Sequence, residues 1–184
     1  MTPRAAPLPQ PWSPEDEAGI RRWMHPEGMH DPPVLFQVLQ RHPVLAKRMQ
    51  ALGQELYVGG RLPARERQIA IMRACALVGC AYEWGGQATF WGPRVGVSEA
   101  ECDALVTGRG AEWSARERTL LAAVDAVEDV GGLDDAGGDA LRGHYDDEQI
   151  IELLAAVGWY RMICTFCNAL DLRPEPWMRA WPAP

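Results

Sequence analysis

Four times the chain opens a helix with the same chemistry. Ser13-Pro14-Glu15-Asp16 sets an N-cap ahead of a proline at the first helical position. Ser98 with Glu101, Ser114 with Glu117 and Asp146 with Gln149 stand three apart, the spacing of a capping box or a close variant. Each precedes apolar residues at helical spacing. After Ser114 come Leu120, Leu121, Val124, Val127 and Val130; after Asp146 come Ile150, Ile151, Leu153, Leu154 and Val157. Pro63 to Val78 carries Ile69, Ile71, Met72, Cys75, Ala76 and Val78, a helix with a broad apolar face. Glycine-rich breaks at 59–60, 108–110, 131–132 and 137–138 separate the helices, and strand signals are nearly absent. These signals predict an all-α, single-domain bundle of seven to nine helices.

With 184 residues, 47% of them hydrophobic, the chain can bury a sizeable core in one domain. The expected organisation is a proline-rich N-terminal tail over 1–12, a helical domain over 13–172 and a C-terminal tail over 173–184. The tails carry Trp12, Trp177 and Trp181, which suits docking onto the body or a neighbouring subunit. A net charge of -7 and the lack of a basic stripe argue against nucleic acid; Lys47 is the only lysine. No run approaches the roughly 20 continuous apolar residues of a bilayer span, and the N-terminus lacks the apolar core of a secretory signal. Five cysteines, an odd number, then read as free thiols in a reducing cytoplasm.

Ala64-Arg65-Glu66-Arg67 and Ala115-Arg116-Glu117-Arg118 echo each other. The echo reads either as a repeated helical hairpin or as two independent helix starts with the same charge chemistry.

The stretch richest in chemistry runs from Arg61 to Gly96, where Cys80, Tyr82, Glu83, Trp84, Gln87, Phe90 and Trp91 follow an apolar helix ending near Gly79. A new helix beginning near Cys80 would put residues 80, 83, 84 and 87 on one face. It would also set Cys80 in the first turn, where free N–H groups and the helix dipole favour a thiolate. Glu83 reads either as an acid–base group or as an ion-pair partner of Arg73 or Arg161, and Cys80 as reactive or as an inert buried thiol.

Leu62 through Gly96 resembles the carboxymuconolactone decarboxylase / alkylhydroperoxidase D-like family, in which an R-E-L-x-I-L-R helix precedes C-x-Y-E-W-x-x-H. Leu153 to Leu170 is similar to that family's closing helix, and with spacers the resemblance covers about residues 33–175. It implies an alkylhydroperoxidase D-like helical bundle, a pocket near subunit contacts and a homo-oligomer, whether dimer, trimer or hexamer. The departures lie at the family's reactive positions. Its C-x-x-C becomes Cys80-Ala81-Tyr82-Glu83, its histidine falls on Gln87, and its glutamate twelve residues before the cysteine falls on Gln68. A dithiol peroxidase needs a resolving thiol and a relay, and glutamine cannot exchange protons.

The expected function is therefore a cofactor-independent enzyme for a small organic acid, lactone or carbonyl compound, performing decarboxylation, isomerisation or cyclisation. Glu83, Cys80 and Gln87 are the catalytic candidates. Gln68, Tyr82, Trp84, Trp91, Tyr160 and Arg161 are the substrate-binding candidates, with no metal and no cofactor expected. The alternatives are a thiol peroxidase pairing Cys80 with Cys164 or Cys167, and a ligand-binding protein without catalysis. Cys164-Thr165-Phe166-Cys167 is a formal C-x-x-C, whose bland reading is two small core residues. His144 reads as a cap or surface residue, Trp159 as core, and His25 with His30 and Asp31 as a remote metal candidate.

Overall fold

The computed structural model describes residues 4–24 and 31–183, and among these every regular element is helical. His25 and His30 lie outside the described residues. In chain order the helices are α1 (Pro14–Arg21), α2 (Val34–Leu39), α3 (Pro43–Gln54), α4 (Ala64–Leu77), α5 (Ala81–Gly86), α6 (Gly92–Arg94), α7 (Glu99–Thr107), α8 (Ala115–Val130), α9 (Asp135–Arg142) and α10 (Asp147–Ala169). Two π-helical turns, Glu55–Gly59 and Gln87–Trp91, extend α3 and join α5 to α6. The count exceeds seven to nine because the short segments α2 and α6 carry no start signal of their own.

The start signals form as their chemistry dictates. Ser13 accepts from the Asp16 amide, and Ser98, Ser114 and Asp146 complete capping boxes with Glu101, Glu117 and Gln149. Each cap satisfies helix N–H groups that would otherwise lack a partner, a contribution of about 1 kcal/mol apiece.

The central helix is α4, packed between α8 and α10. Ile69, Ala70, Ile71, Met72, Ala74 and Cys75 are all buried, so this helix is apolar nearly all round and has no solvent face along its middle. Leu120 and Val124 of α8 and Leu153 and Val157 of α10 join the same core. Burying each such side chain contributes about 1.5–3 kcal/mol. By length and composition α10 could cross a bilayer, with a mean hydropathy of 1.5, although Glu152 and Arg161 interrupt its apolar run. In this fold its Leu153, Ala156, Val157, Ile163 and Cys167 are core residues.

The two echoed segments meet. Arg65 Nε donates to Glu117 at 2.9 Å, and Arg116 Nε donates to Glu66 at 2.8 Å, so each echo's arginine pairs with the other's glutamate across the start of α4 and α8. Arg65 also reaches Glu101 at the start of α7. The echo thus forms a reciprocal clasp between the two helix starts.

Both tails lie on the body. The Arg4 amide donates to Leu170 and the Leu8 amide to Gln37. The C-terminal tail crosses α5, where Trp181 packs edge-on against Trp84 at 5.4 Å between ring centroids. Gly85 permits the crossing, since a Cβ there would stand 2.7 Å from the Arg179 carbonyl oxygen.

Candidate active site

The site begins where α4 ends. Gly79 adopts φ +64°, which a residue with a side chain rarely does, and the chain turns so that the Cys80 amide donates to the Cys75 carbonyl at 2.9 Å. Cys80 becomes the N-cap of α5, with backbone angles outside the helical region. The four-residue face expected from Cys80 therefore splits. Glu83, Gly86, Gln87 and Phe90 line a cavity of about 310 Å³, whereas Cys80 and Trp84 are fully buried and face the core.

The cavity walls are aromatic: Trp23, Phe36, Trp91, Trp159 and Trp177 surround it. Trp23 stacks on Phe36 at 5.4 Å, and Trp91 lies 4.3 Å from the Tyr57 ring. Polar groups concentrate at one end. There Tyr57 Oη donates to Gln68 Oε1 at 2.7 Å, Gln68 Nε2 donates to Gln87 Oε1 at 3.0 Å, and Gln87 Nε2 donates to Glu83 Oε1 at 2.8 Å. The same Gln87 nitrogen donates, at 3.4 Å, to the hydroxyl of Tyr160. Every step hands a hydrogen toward the Glu83 carboxylate.

Glu83 is partly buried, and its pKa is pushed up to about 7. Burial is the main cause; the Gln87 hydrogen bond opposes it and the charge on Cys80 adds to it. Neither arginine considered as its partner is available: Arg73 binds Asp125 at 2.6 Å, and Arg161 binds Glu128. A carboxylic acid balanced near neutrality in an apolar cavity is suited to exchange protons in either direction.

Behind Glu83 the sulfurs converge. Cys75 and Cys164 stand 3.6 Å apart, and Cys80 interacts with Cys164 and Cys167. Within this cluster Cys80 is the thiol that ionises first, because Cys164 and Cys167 donate to it and the Tyr82 and Glu83 amides face it. Cys164 and Cys167 are driven up correspondingly, and burial pushes Cys75 up to about 11. All five cysteines are free and buried. Among the described residues no group of three histidine, cysteine or acidic side chains is arranged to hold a metal ion.

Of the residues singled out from sequence, Glu83, Gln87, Tyr82, Trp91 and Tyr160 line the cavity, and Gln68 stands directly behind Gln87. Trp84 and Cys80 are displaced into the core. Arg161 does not join them: one residue after Tyr160 on α10, it turns to the exposed side and meets Glu128. Tyr82 lines the cavity, but its hydroxyl is engaged elsewhere. It donates to Glu175 at 2.9 Å and accepts from the Leu35 amide at 3.1 Å, tying α2 and the C-terminal tail to α5. His144 is exposed beside Tyr145, which stacks under Arg116. Sequence reasoning missed Tyr57, Trp23 and Phe36. Tyr57 sits on a π-turn, a local form that marks functional sites, but no residue pattern announced it.

Residues 43–127, which span α3 to most of α8 and include Gln68, Cys80, Glu83 and Gln87, match the Carboxymuconolactone decarboxylase family. Over that segment the chain is similar to the carboxymuconolactone decarboxylase family. Solved structures share its fold. The debrominase Bmp8 superposes with a TM-score of 0.79 at 20% identity, covering 94% of this chain and 92% of that one. A cysteine-to-alanine variant of Bmp8 in complex with 2,3,4-tribromopyrrole gives the same TM-score, 0.79, at 19% identity, with the same coverage of 94% and 92%. A peroxidase-related protein from a Silicibacter species also scores 0.79, at 20% identity, covering 96% of this chain and 94% of that one. Among curated proteins none matches the sequence. At these identities the likeness concerns the fold alone.

Proposed function

We propose that this protein is a cofactor-independent acid–base enzyme that moves a proton on a small organic ring compound, a lactone, carbonyl compound or organic acid, in an isomerisation, cyclisation or decarboxylation. The observation that carries this reading is Glu83 itself, a carboxyl group poised near neutrality with one oxygen pinned by Gln87 at 2.8 Å and set in the wall of an aromatic cavity. A base so held is pre-oriented, and the amide chain behind it reorganises little when its charge changes. The aromatic walls suit a planar ring of drug-fragment size.

Deuterium transfer from heavy water into a panel of lactones and ketones, read by mass spectrometry, tests the reading. Wild-type protein is expected to label at least one carbon acid and Glu83→Gln none; equal labelling by both removes Glu83 from the chemistry.

A second reading rests on the sulfur cluster. Its proximity permits a thiol reaction in which the Cys80 thiolate takes the terminal oxygen of a hydroperoxide and releases the alcohol. Cys164 or Cys167 then displaces water to leave a disulfide. The first reading stands ahead because Cys80 lies behind the cavity wall. The apolar outer face of α10, with Ile151, Leu154 and Met162 exposed, fits the proposal of a homo-oligomer. The free thiols fit a reducing cytoplasm.

A further inference from the structure

Tyr160 is a buried phenol lining the same cavity, and it enters one described hydrogen bond, from Gln87 Nε2. An amide N–H only donates, so Tyr160 is the acceptor there and its own proton is left for another partner. Burial, with Tyr57 and Glu83 nearby, drives its pKa well above the usual phenol range, so that proton stays on. Tyr57 is in the opposite condition, its proton spent on the Gln68 amide oxygen. Glu83 and Tyr160 therefore flank the cavity within two hydrogen bonds of each other through one nitrogen, the first offering an acceptor and the second a donor.

Charge narrows the ligand further. Among the described residues the cavity is lined by one cation, Arg22, which is exposed at its rim, while Glu83 sits inside. A carboxylate bound deep in this cavity would meet the like charge of Glu83 with no cation among the described lining residues beside it to offset the repulsion.

Resting on the acid–base reading of Glu83, we infer that the substrate is an uncharged cyclic carbonyl compound with an acidic neighbouring C–H, and that Tyr160 is the group that holds its oxygen. Glu83 takes the proton from the carbon. The C–H electron pair becomes the C=C bond of an enolate, and the carbonyl π pair moves onto the oxygen, where the Tyr160 O–H binds it. Glu83 then returns the proton to the same carbon or to one conjugated with it. Atoms and electrons balance with no co-reactant, and the net result is an isomerisation.

Phenolates imitate the enolate, being planar rings with a charged oxygen, and nitrophenolates report binding by their absorbance. With 4-nitrophenolate above neutral pH, Glu83→Gln is expected to bind more tightly than wild type, since the neutral amide removes the opposing charge. Adding Tyr160→Phe to that variant is expected to weaken binding roughly 10- to 100-fold, the worth of one charge-assisted hydrogen bond. Nitrobenzene, which lacks the phenol oxygen, is expected to bind both variants alike and so confirms an intact cavity. The comparison repeats without the Glu83 substitution by titrating wild type and Tyr160→Phe with 2,4-dinitrophenolate, which remains ionised at mildly acid pH where Glu83 is protonated. Undiminished phenolate binding by the Tyr160→Phe proteins overturns the role of Tyr160 while leaving Glu83 in place. Failure of Glu83→Gln to tighten phenolate binding overturns the acid–base reading beneath it.

Discussion

Gln87 Nε2 donates to Glu83 Oε1 at 2.8 Å, one helical turn along the same segment, and this bond stabilises the charged form of a carboxyl group that burial would otherwise keep protonated. The family resemblance sets a histidine at position 87. With glutamine there, the neighbour cannot titrate, and the proposed function assigns proton exchange to Glu83, one turn away.

Gln87→Leu should raise the pKa of Glu83 above its value of about 7, because the opposing hydrogen bond is lost and burial acts alone. The limb of the pH–rate profile that reports ionisation of Glu83 should shift to higher pH. An unmoved limb would mean that another group controls it. The same variant leaves the Gln68 amide without its acceptor, a cost of about 1–3 kcal/mol in stability.

Glu83 also makes stability depend on pH, with the sign opposite to that of a salt-bridged carboxylate. Its folded pKa lies above the ordinary value of 4.5, so between 4.5 and about 7 the folded chain binds more protons than the unfolded one. The stabilisation is complete below that window and is lost as pH rises through it, amounting to about 2–3 kcal/mol once residual solvent access is allowed for. Glu83→Gln has no proton to lose. Urea denaturation should show the variant gaining on wild type across the window and running parallel to it on either side; a constant difference would place the Glu83 pKa in the ordinary range. Glu101, held at about 2 by Arg65, contributes the opposite slope at lower pH in both proteins and cancels from the comparison.

What the chain disclosed in advance follows from range. Capping boxes are local chemistry, and Ser98, Ser114 and Asp146 announced α7, α8 and α10 correctly. Glu83, Gln87 and Tyr160, singled out from the sequence, do line one cavity. The local face was misread where Gly79 turns the backbone, placing Cys80 as a cap instead of on the Glu83 side. Non-local contacts were invisible. Tyr57 meets Gln68 and Gln87 across 11 and 30 residues, and the clasp between Arg65 and Glu117 spans 52. Nothing in a sequence period records such distances.

The crossing of the C-terminal tail over α5 depends on a missing side chain. Gly85→Ala would bring a Cβ to 2.7 Å from the Arg179 carbonyl oxygen, a backbone atom that yields only if the tail moves. The expected cost is about 1–3 kcal/mol. Loss of the Trp84–Trp181 contact should change the near-ultraviolet circular dichroism, and proteolysis after Arg179 should accelerate. Gly86→Ala is the control: its Cβ would meet the Met178 methyl at 3.5 Å, ordinary contact, so the tail should hold. Equal effects from both would assign the loss to helix α5 alone.

Cys80 distinguishes the two chemical readings. It is fully buried behind Glu83, within the sulfur cluster, and its charge contributes to raising the Glu83 pKa. If proton transfer is the chemistry, Cys80→Ser keeps deuterium labelling within a few-fold of wild type. The Glu83 limb of the pH–rate profile then moves to lower pH, because a nearby thiolate is replaced by a neutral hydroxyl. If thiol redox is the chemistry, mild hydroperoxide treatment of wild type yields a disulfide joining Cys80 to Cys164 or Cys167, detectable by peptide mass spectrometry. Cys80→Ser then abolishes both the disulfide and peroxide consumption. The buried position favours the first outcome, since a hydroperoxide entering the cavity meets Glu83, Gln87 and the aromatic walls before it can reach the sulfur.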